Sequence, residues 1–399
     1  MRTGIVGRRD VETLPGPGAG DPGPPGLGRF CLYFLRLGTL GFGGPIALAG
    51  AMQRDLVETR GWIDREDYVQ GLALAQLAPG PLAAQLAIYL GWVRGGVVGA
   101  TLVGVAFVLP SFLMVLGLSA AYVAWGGLRP IQALFYGIGA AVIGLIAKSA
   151  ARLTRTTLKK DALAWGIFAT LAVVTAVTGR EIIWLVLAAG ALAVAVRGRI
   201  GRAAAASVSF ALPAALVTGL GDAAAPDLLL RIFLFFAKAG AFVFGSGLAI
   251  VPFLYGGVVK DLGWLNERQF LDAVAVAMIT PGPVVITVAF IGYLVGGVAG
   301  ATAAALGVFL PVWLFVVLPA PYVRRLAARP AVAAFVLGVT AAATGALAGA
   351  AVVIARGAIR DVPTALIAAS ALLTVWKTKT PEPLVVAAAG GLGLLLFRG

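Results

Sequence analysis

The chain contains no histidine and a single cysteine, Cys31. Without histidine, imidazole metal ligation, a Ser-His nucleophile and a histidine proton relay are excluded. One thiol leaves no disulfide framework and no multi-thiolate metal site. Charge is scarce too: 12% of the 399 residues are charged and 60% are hydrophobic. A soluble protein of that length could not hide so much apolar surface, so lipid must be the solvent for much of it. The net charge of +14 would suit nucleic acid, but the cations lie mostly in short gaps between apolar runs. That is the positive-inside pattern, and no nucleic-acid partner is expected. Residues 1–28 are rich in Gly and Pro and lack an apolar core with a small-residue cleavage site, so they read as a disordered leader rather than a signal peptide.

Two stretches carry the same unusual set of residues at an offset of 202. Arg36–Pro81 reads R-x-G-x-x-x-F-G-G-P, then G-W-I, then P-G-P; Lys238–Pro283 reads K-x-G-x-x-x-F-G-S-G, then G-W-L, then P-G-P. The match continues at an offset of 201, where Gly95–Thr101 parallels Gly296–Thr302, Pro110 parallels Pro311, Gly137 parallels Gly338 and Gly144 parallels Gly345. So many matches at a nearly constant offset indicate duplication. The expected organisation is a leader (1–28), a first repeat (29–200), a connecting helix or linker (201–227) and a second repeat (228–399).

Apolar runs long enough to cross a bilayer lie near 97–123, 130–151, 161–178, 181–197, 203–220, 296–322, 330–355, 362–376 and 382–397. The run at 203–220 contains Pro213 and is the weakest. Four other stretches, 28–60, 66–94, 228–260 and 266–295, are interrupted near the middle by Gly or Pro. They read as broken helices or as re-entrant hairpins. The basic cluster Lys148, Arg152, Arg155, Lys159 and Lys160 assigns its loop to the cytoplasm, and counting spans onward puts Arg180–Glu181 outside. The second repeat then starts on the opposite face from the first. The fold class expected is an all-α polytopic membrane protein whose halves form an inverted-topology repeat with broken or re-entrant helices.

Chemistry concentrates at the interruptions. Proline has no backbone N–H and disfavours helix in the residue before it, so Pro79-Gly80-Pro81 and Pro281-Gly282-Pro283 must break their helices. The restarted helix leaves its early N–H groups unpaired at the positive end of its dipole, where an oxyanion is a natural partner. A kink relieved by nearby Ser or Thr is the alternative. Gly43-Gly44-Pro45 and Gly245-Ser246 support the same reading, against simple tight packing of small residues. Arg36 and Lys238 hold equivalent places in apolar sequence. Such a cation marks a functional site unless it snorkels to the interface. Uncharged candidates are Gln76 and Gln85, flanking the first P-G-P, and Thr280, preceding the second. With histidine missing, any proton coupling falls to carboxylates, with Asp55 and Asp272 in the most apolar surroundings.

The segments F-L-R-L-G…F-G-G-P, A-L-A-Q-L-A-P-G-P…Q-L-A-I-Y-L-G and T-P-G-P-V-V-I-T-V-A-F-I-G-Y-L-V-G resemble the chromate ion transporter family in its two-domain form. The resemblance covers about residues 29–399. It implies a multi-pass inner-membrane protein, with no cofactor, that exports chromate and so confers resistance. Members often carry Thr-Ser before F-G-G-P, His shortly after it, and Asn and Thr after the first P-G-P; here stand Leu40-Gly41, Leu48, Leu82 and Ala84. The first half has thus lost polar groups. Sulfate, similar in shape and charge, is therefore a second candidate substrate. A passive anion channel stays open as a mechanism and a homodimer as an assembly.

Overall fold

A computed structural model describes residues 26–42, 44–197, 228–243, 247–323, 329–378 and 380–397. The leader up to residue 25, Gly43, Gly245, Ser246 and the weak span at 203–220 lie outside the described residues. Within them the chain is helical, with fourteen α-helices and no strand. The first half comprises α1 (Leu27–Leu40), α2 (Gly44–Met52), α3 (Arg65–Leu77), α4 (Leu82–Trp125), α5 (Arg129–Leu158), α6 (Ala162–Thr178) and α7 (Ile183–Arg197). The second comprises α8 (Leu228–Phe242), α9 (Val251–Leu254), α10 (Glu267–Ile279), α11 (Thr287–Val317), α12 (Pro330–Ala358), α13 (Val362–Lys377) and α14 (Glu382–Leu396). Even irregularities recur. A π-helical stretch follows α2 at Gln53–Thr59 and α9 at Tyr255–Asp261.

The interrupted stretches turn back on themselves. Around the first interruption, Tyr33 on α1 donates to Asp55 across from it (3.1 Å), and Phe30 meets Trp62. Around the first P-G-P, Tyr89 on α4 reaches Gln70 on α3. Pairs whose positions sum to a nearly constant value mark antiparallel hairpins, with tips at residues 41–45 and 79–81. The second half repeats this, as Phe235 on α8 stacks on Phe253 on α9 and packs edge-on to Trp264. The choice between broken spans and re-entrant hairpins thus resolves toward hairpins.

A further reversal follows each P-G-P hairpin. Gly95 (φ −156°) and Gly96 (φ +56°) break α4; Gly296 (φ −144°) and Gly297 (φ +61°) break α11 in the same way. The flanking segments then pack so closely that Gly91 lies against the carbonyl of Gly99, and Gly292 against that of Gly300. The positive φ requires glycine at the turn. Among the described residues, four helical segments are long and apolar enough to cross a membrane: Leu82–Trp125, Arg129–Leu158, Val284–Tyr322 and Pro330–Ala358. The apolar helices α6, α7, α13 and α14 have 15–17 residues, close to the lower limit for crossing the hydrocarbon core.

The halves exchange partners. Helix α5 packs on α13 and α14, while α12 packs on α6 and α7. Gly137 on α5 sits against the Ala389 carbonyl, and Gly338 on α12 against the Ala189 carbonyl. Gly144 faces the carbonyl of Ala368, and Gly345 that of Phe168. These glycines let backbones approach where side chains would hold helices apart, which matters when lipid offers no hydrophobic drive for association. Tyr122 near the end of α4 meets Phe290 near the start of α11, while Trp313 near the end of α11 donates to Thr101 near the start of the span in α4. The equivalent helices α4 and α11 therefore run antiparallel. Lys148 pairs with Glu382 (3.9 Å), and its side chain is 27% exposed.

Gly137→Val should lower thermal stability in detergent by about 1–3 kcal/mol through overpacking. Gly139→Ala, where an added Cβ meets nothing within 4 Å, should stay within about 0.5 kcal/mol of wild type. Equal melting temperatures for the two variants would contradict the interlocked packing.

Candidate anion site at the hairpin tips

The two P-G-P tips each meet the first hairpin of the opposite half. The Gly80 N–H donates to the Val243 carbonyl (2.6 Å), and the Gly282 N–H donates to the Gly41 carbonyl (3.0 Å). Val243 and Gly41 are themselves 202 residues apart, so the two contacts are equivalents. Gly80 has φ +137° and Gly282 φ +93°, conformations that only glycine adopts without strain. These glycine donors are engaged by protein. The donors expected to be open are those of the restarted helix, not these two. The physical reason for the engagement is that each first helix ends in free carbonyls, which are the natural partners of the donors of a P-G-P tip.

Other donors remain at the restart. Pro81 and Pro283 each stand just before their helical turns, one place earlier than expected. The first N–H of α4 to find a helical acceptor is that of Gln85, on Pro81 (3.0 Å). The N–H groups of Leu82, Ala83 and Ala84 precede it in the first turn, where no intrahelical acceptor exists. The buried Gln85 amide donates to the Pro79 carbonyl (2.7 Å), closing the turn, while its Oε1 has no protein partner.

The remaining candidates separate. Lys238 is half-buried on α8 and lines a cavity of about 310 Å³ that reaches Phe242, the residue before Val243. Arg36, its counterpart, is exposed on α1 and does not line that cavity. Gln76 is exposed, and the Thr280 hydroxyl is spent on its own helix, donating to Val276 and Ala277 carbonyls. Gly44 (φ +76°) begins α2 with Pro45 behind it, as expected of a helix restart. Asp272 is buried and accepts from Tyr122 (2.8 Å) across the halves, and Asp55 accepts from Tyr33.

Two residues at the tips and their approach escaped the sequence reading. Ser111, fully buried on α4, donates to the Pro281 carbonyl (2.8 Å) and approaches that of Gly38. Its counterpart is Val312, so duplication gave no signal, although the paired Pro110 and Pro311 mark the position. Glu181, in the loop between α6 and α7, lines the Lys238 cavity with Arg180 and Asp261. Arg180 and Asp261 are bonded to each other (2.8 Å).

A Cβ at Gly282 would run into the Ser111 hydroxyl, whereas one at Gly44 meets nothing within 4 Å. Gly44→Ala should therefore cost only the left-handed backbone penalty of roughly 1–2 kcal/mol. Gly282→Ala should cost more, and adding Ser111→Ala should recover part of the loss. Thermal unfolding of the three variants checks this; equal losses in Gly44→Ala and Gly282→Ala would contradict the tip packing.

Comparison with known proteins gives a consistent result. A family model described as "Chromate transporter" matches residues 28–195 and 230–394. A "Chromate transport protein" of Cupriavidus metallidurans is 60% identical over 378 residues, covering 93% of each chain. A "Probable chromate transport protein" of Synechococcus elongatus is 54% identical, over 93% of this chain and 96% of its own. A "Chromate transport protein" of Pseudomonas aeruginosa is 33% identical over 94% of both. No solved structure matches.

Proposed function

The chain belongs to the chromate transporter family, a family of membrane transporters rather than enzymes, and on that footing we propose that it exports chromate across the cell inner membrane by alternating access. The proposed halves are residues 29–200 and 228–399, related as an inverted repeat. The observation that carries the reading is the reciprocal pair of tip contacts, Gly80 to Val243 and Gly282 to Gly41. They join the four helix interruptions in two cross-half pairs, and the cavity of Lys238 reaches Phe242, beside one of them. Lys238 and Arg36 supply formal charge. The restart donors at Leu82–Ala84 and the P-G-P and Gly43–Pro45 or Gly245–Ser246 backbones complete the anion's coordination as the tips part.

Unequal exposure of equivalent residues supports an alternating cycle. Leu40 is 72% exposed and Phe242 7%; Ile46 is 57% exposed and Leu248 6%. Helix α12 packs on the second-half segment at Gly247–Ile250 and Val251–Leu254. Exchange of these two environments is what an inverted repeat permits. Direct hydrogen bonds between the tips favour a carrier over an open channel. An inside-negative potential favours outward movement of a divalent anion by roughly 4.6 kcal/mol per 100 mV, so no cofactor or fuel is required. Sulfate is the second substrate to weigh, because Leu82 and Ala84 offer no side-chain hydrogen bond at the first restart.

Labelled chromate uptake into inverted membrane vesicles tests this, with sulfate as competitor. Lys238→Gln and Arg36→Gln should each reduce uptake at least ten-fold, about 1.4 kcal/mol. Wild-type uptake in both variants would remove the cations from the mechanism. Uptake of sulfate in preference to chromate would reassign the substrate.

A further inference from the structure

The cavity beside Lys238 holds a carboxyl group that the transport reading leaves without a role. Glu181 keeps part of its surface open to the cavity while protein atoms surround it densely, and it accepts a hydrogen bond from the Phe253 N–H. Phe253 belongs to the return arm of the second-half hairpin, so this carboxyl ties the α6–α7 loop of one half to the broken segment of the other. The charged groups that line the same cavity are Lys238 from α8, Arg180 from the loop of Glu181 and Asp261 from the end of the π-helical stretch. Arg180 and Asp261 neutralise each other at 2.8 Å, with both side chains about half exposed. Lys238 and Glu181 are then the two charges left over. With both ionised the cavity is neutral. With Glu181 protonated it carries one positive charge, next to a passage that reaches Phe242.

We propose that Glu181 couples a proton to the anion: protonation leaves Lys238 unbalanced and admits the oxyanion, and loss of the proton cancels that charge and excludes it. The inference rests on the reading of Lys238 as an anion-binding residue. Burial pushes the Glu181 carboxyl up to about 8, against the Phe253 N–H, which pulls it down. A raised carboxyl is neutral below that value and ionises above it, so the cavity is cationic at neutral pH and loses its charge toward pH 9. By linkage the anion and the proton favour each other's binding equally. The volume of about 310 Å³ far exceeds the roughly 30 Å³ that one water occupies in the liquid, so an anion can enter with part of its hydration.

The device exists on one side only. Helices α6 and α13, and α7 and α14, correspond at offsets of 200 and 199, which sets Glu181 opposite Thr380–Pro381. The neighbouring carboxylate, Glu382, is committed to Lys148. Arg36 therefore faces no equivalent group, and the proton-sensitive step belongs to the Lys238 side.

The test is equilibrium binding of labelled chromate to the full chain in lipid nanodiscs at pH 7 and pH 9, with proton uptake on chromate addition recorded at pH 8 in weak buffer. Wild type should bind about ten-fold more weakly at pH 9, because the competent fraction falls by that factor, and should take up protons on binding. Glu181→Gln should show less than a two-fold change and no uptake. A wild-type pH slope and proton uptake in Glu181→Gln, with binding still lost in Lys238→Gln, would overturn the role of Glu181 and leave the anion site standing. Unchanged binding in Lys238→Gln would overturn the site itself. A melting temperature of Lys238→Gln close to that of wild type serves as the folding control.

Discussion

A backbone N–H or carbonyl cannot be left unpaired in hydrocarbon, at a cost of several kcal/mol each. The rest of the structure depends on how four helix interruptions meet that demand. Each P-G-P tip presents a donor, and each first hairpin presents a carbonyl at its tip. Neither half satisfies these groups alone. Crossed over, Gly80 finds Val243 and Gly282 finds Gly41. The glycine contacts of α5 with α13 and α14, and of α12 with α6 and α7, hold the halves in the register that this crossing requires.

On the proposed reading, the same pairing closes the anion site when it is empty. A tip carbonyl and an oxyanion are both acceptors for the same donors, but the oxyanion also brings formal charge that has to be offset. In this state Lys238 lies in its cavity and Arg36 is exposed. Equivalent sequence in unequal surroundings is what two interchangeable states of one architecture would look like when one of them is observed. On the side of Lys238, a single carboxyl without a counterpart makes that interchange responsive to protons.

Much of this was legible in the sequence, for a physical reason. Gly and Pro write backbone geometry directly, so the duplicated Gly80, Gly282, Gly96 and Gly297 mark turns that only glycine can make. The paired Gly137 and Gly338 likewise mark helix contacts. Hairpin closure was undecidable, since it rests on contacts such as Tyr33 with Asp55 that composition does not encode. The capture of the tip donors by the opposite half was also missed, because it depends on distance across about 160 to 240 residues. Ser111 and Tyr122 stand opposite Val312 and Val323, and Glu181 opposite no carboxylate, so a search guided by duplication passes over them. The exposure of Arg36 and Gln76 shows the converse: a residue can share a motif and still face away from its partners.

The central claim is that tips from opposite halves pair with each other inside the bilayer. A structure determined in lipid nanodiscs without anion measures it through the Gly80 N to Val243 O and Gly282 N to Gly41 O separations. Both should lie within hydrogen-bond distance. Tips that bond only within their own half, or that stand apart at the lipid boundary, would contradict it.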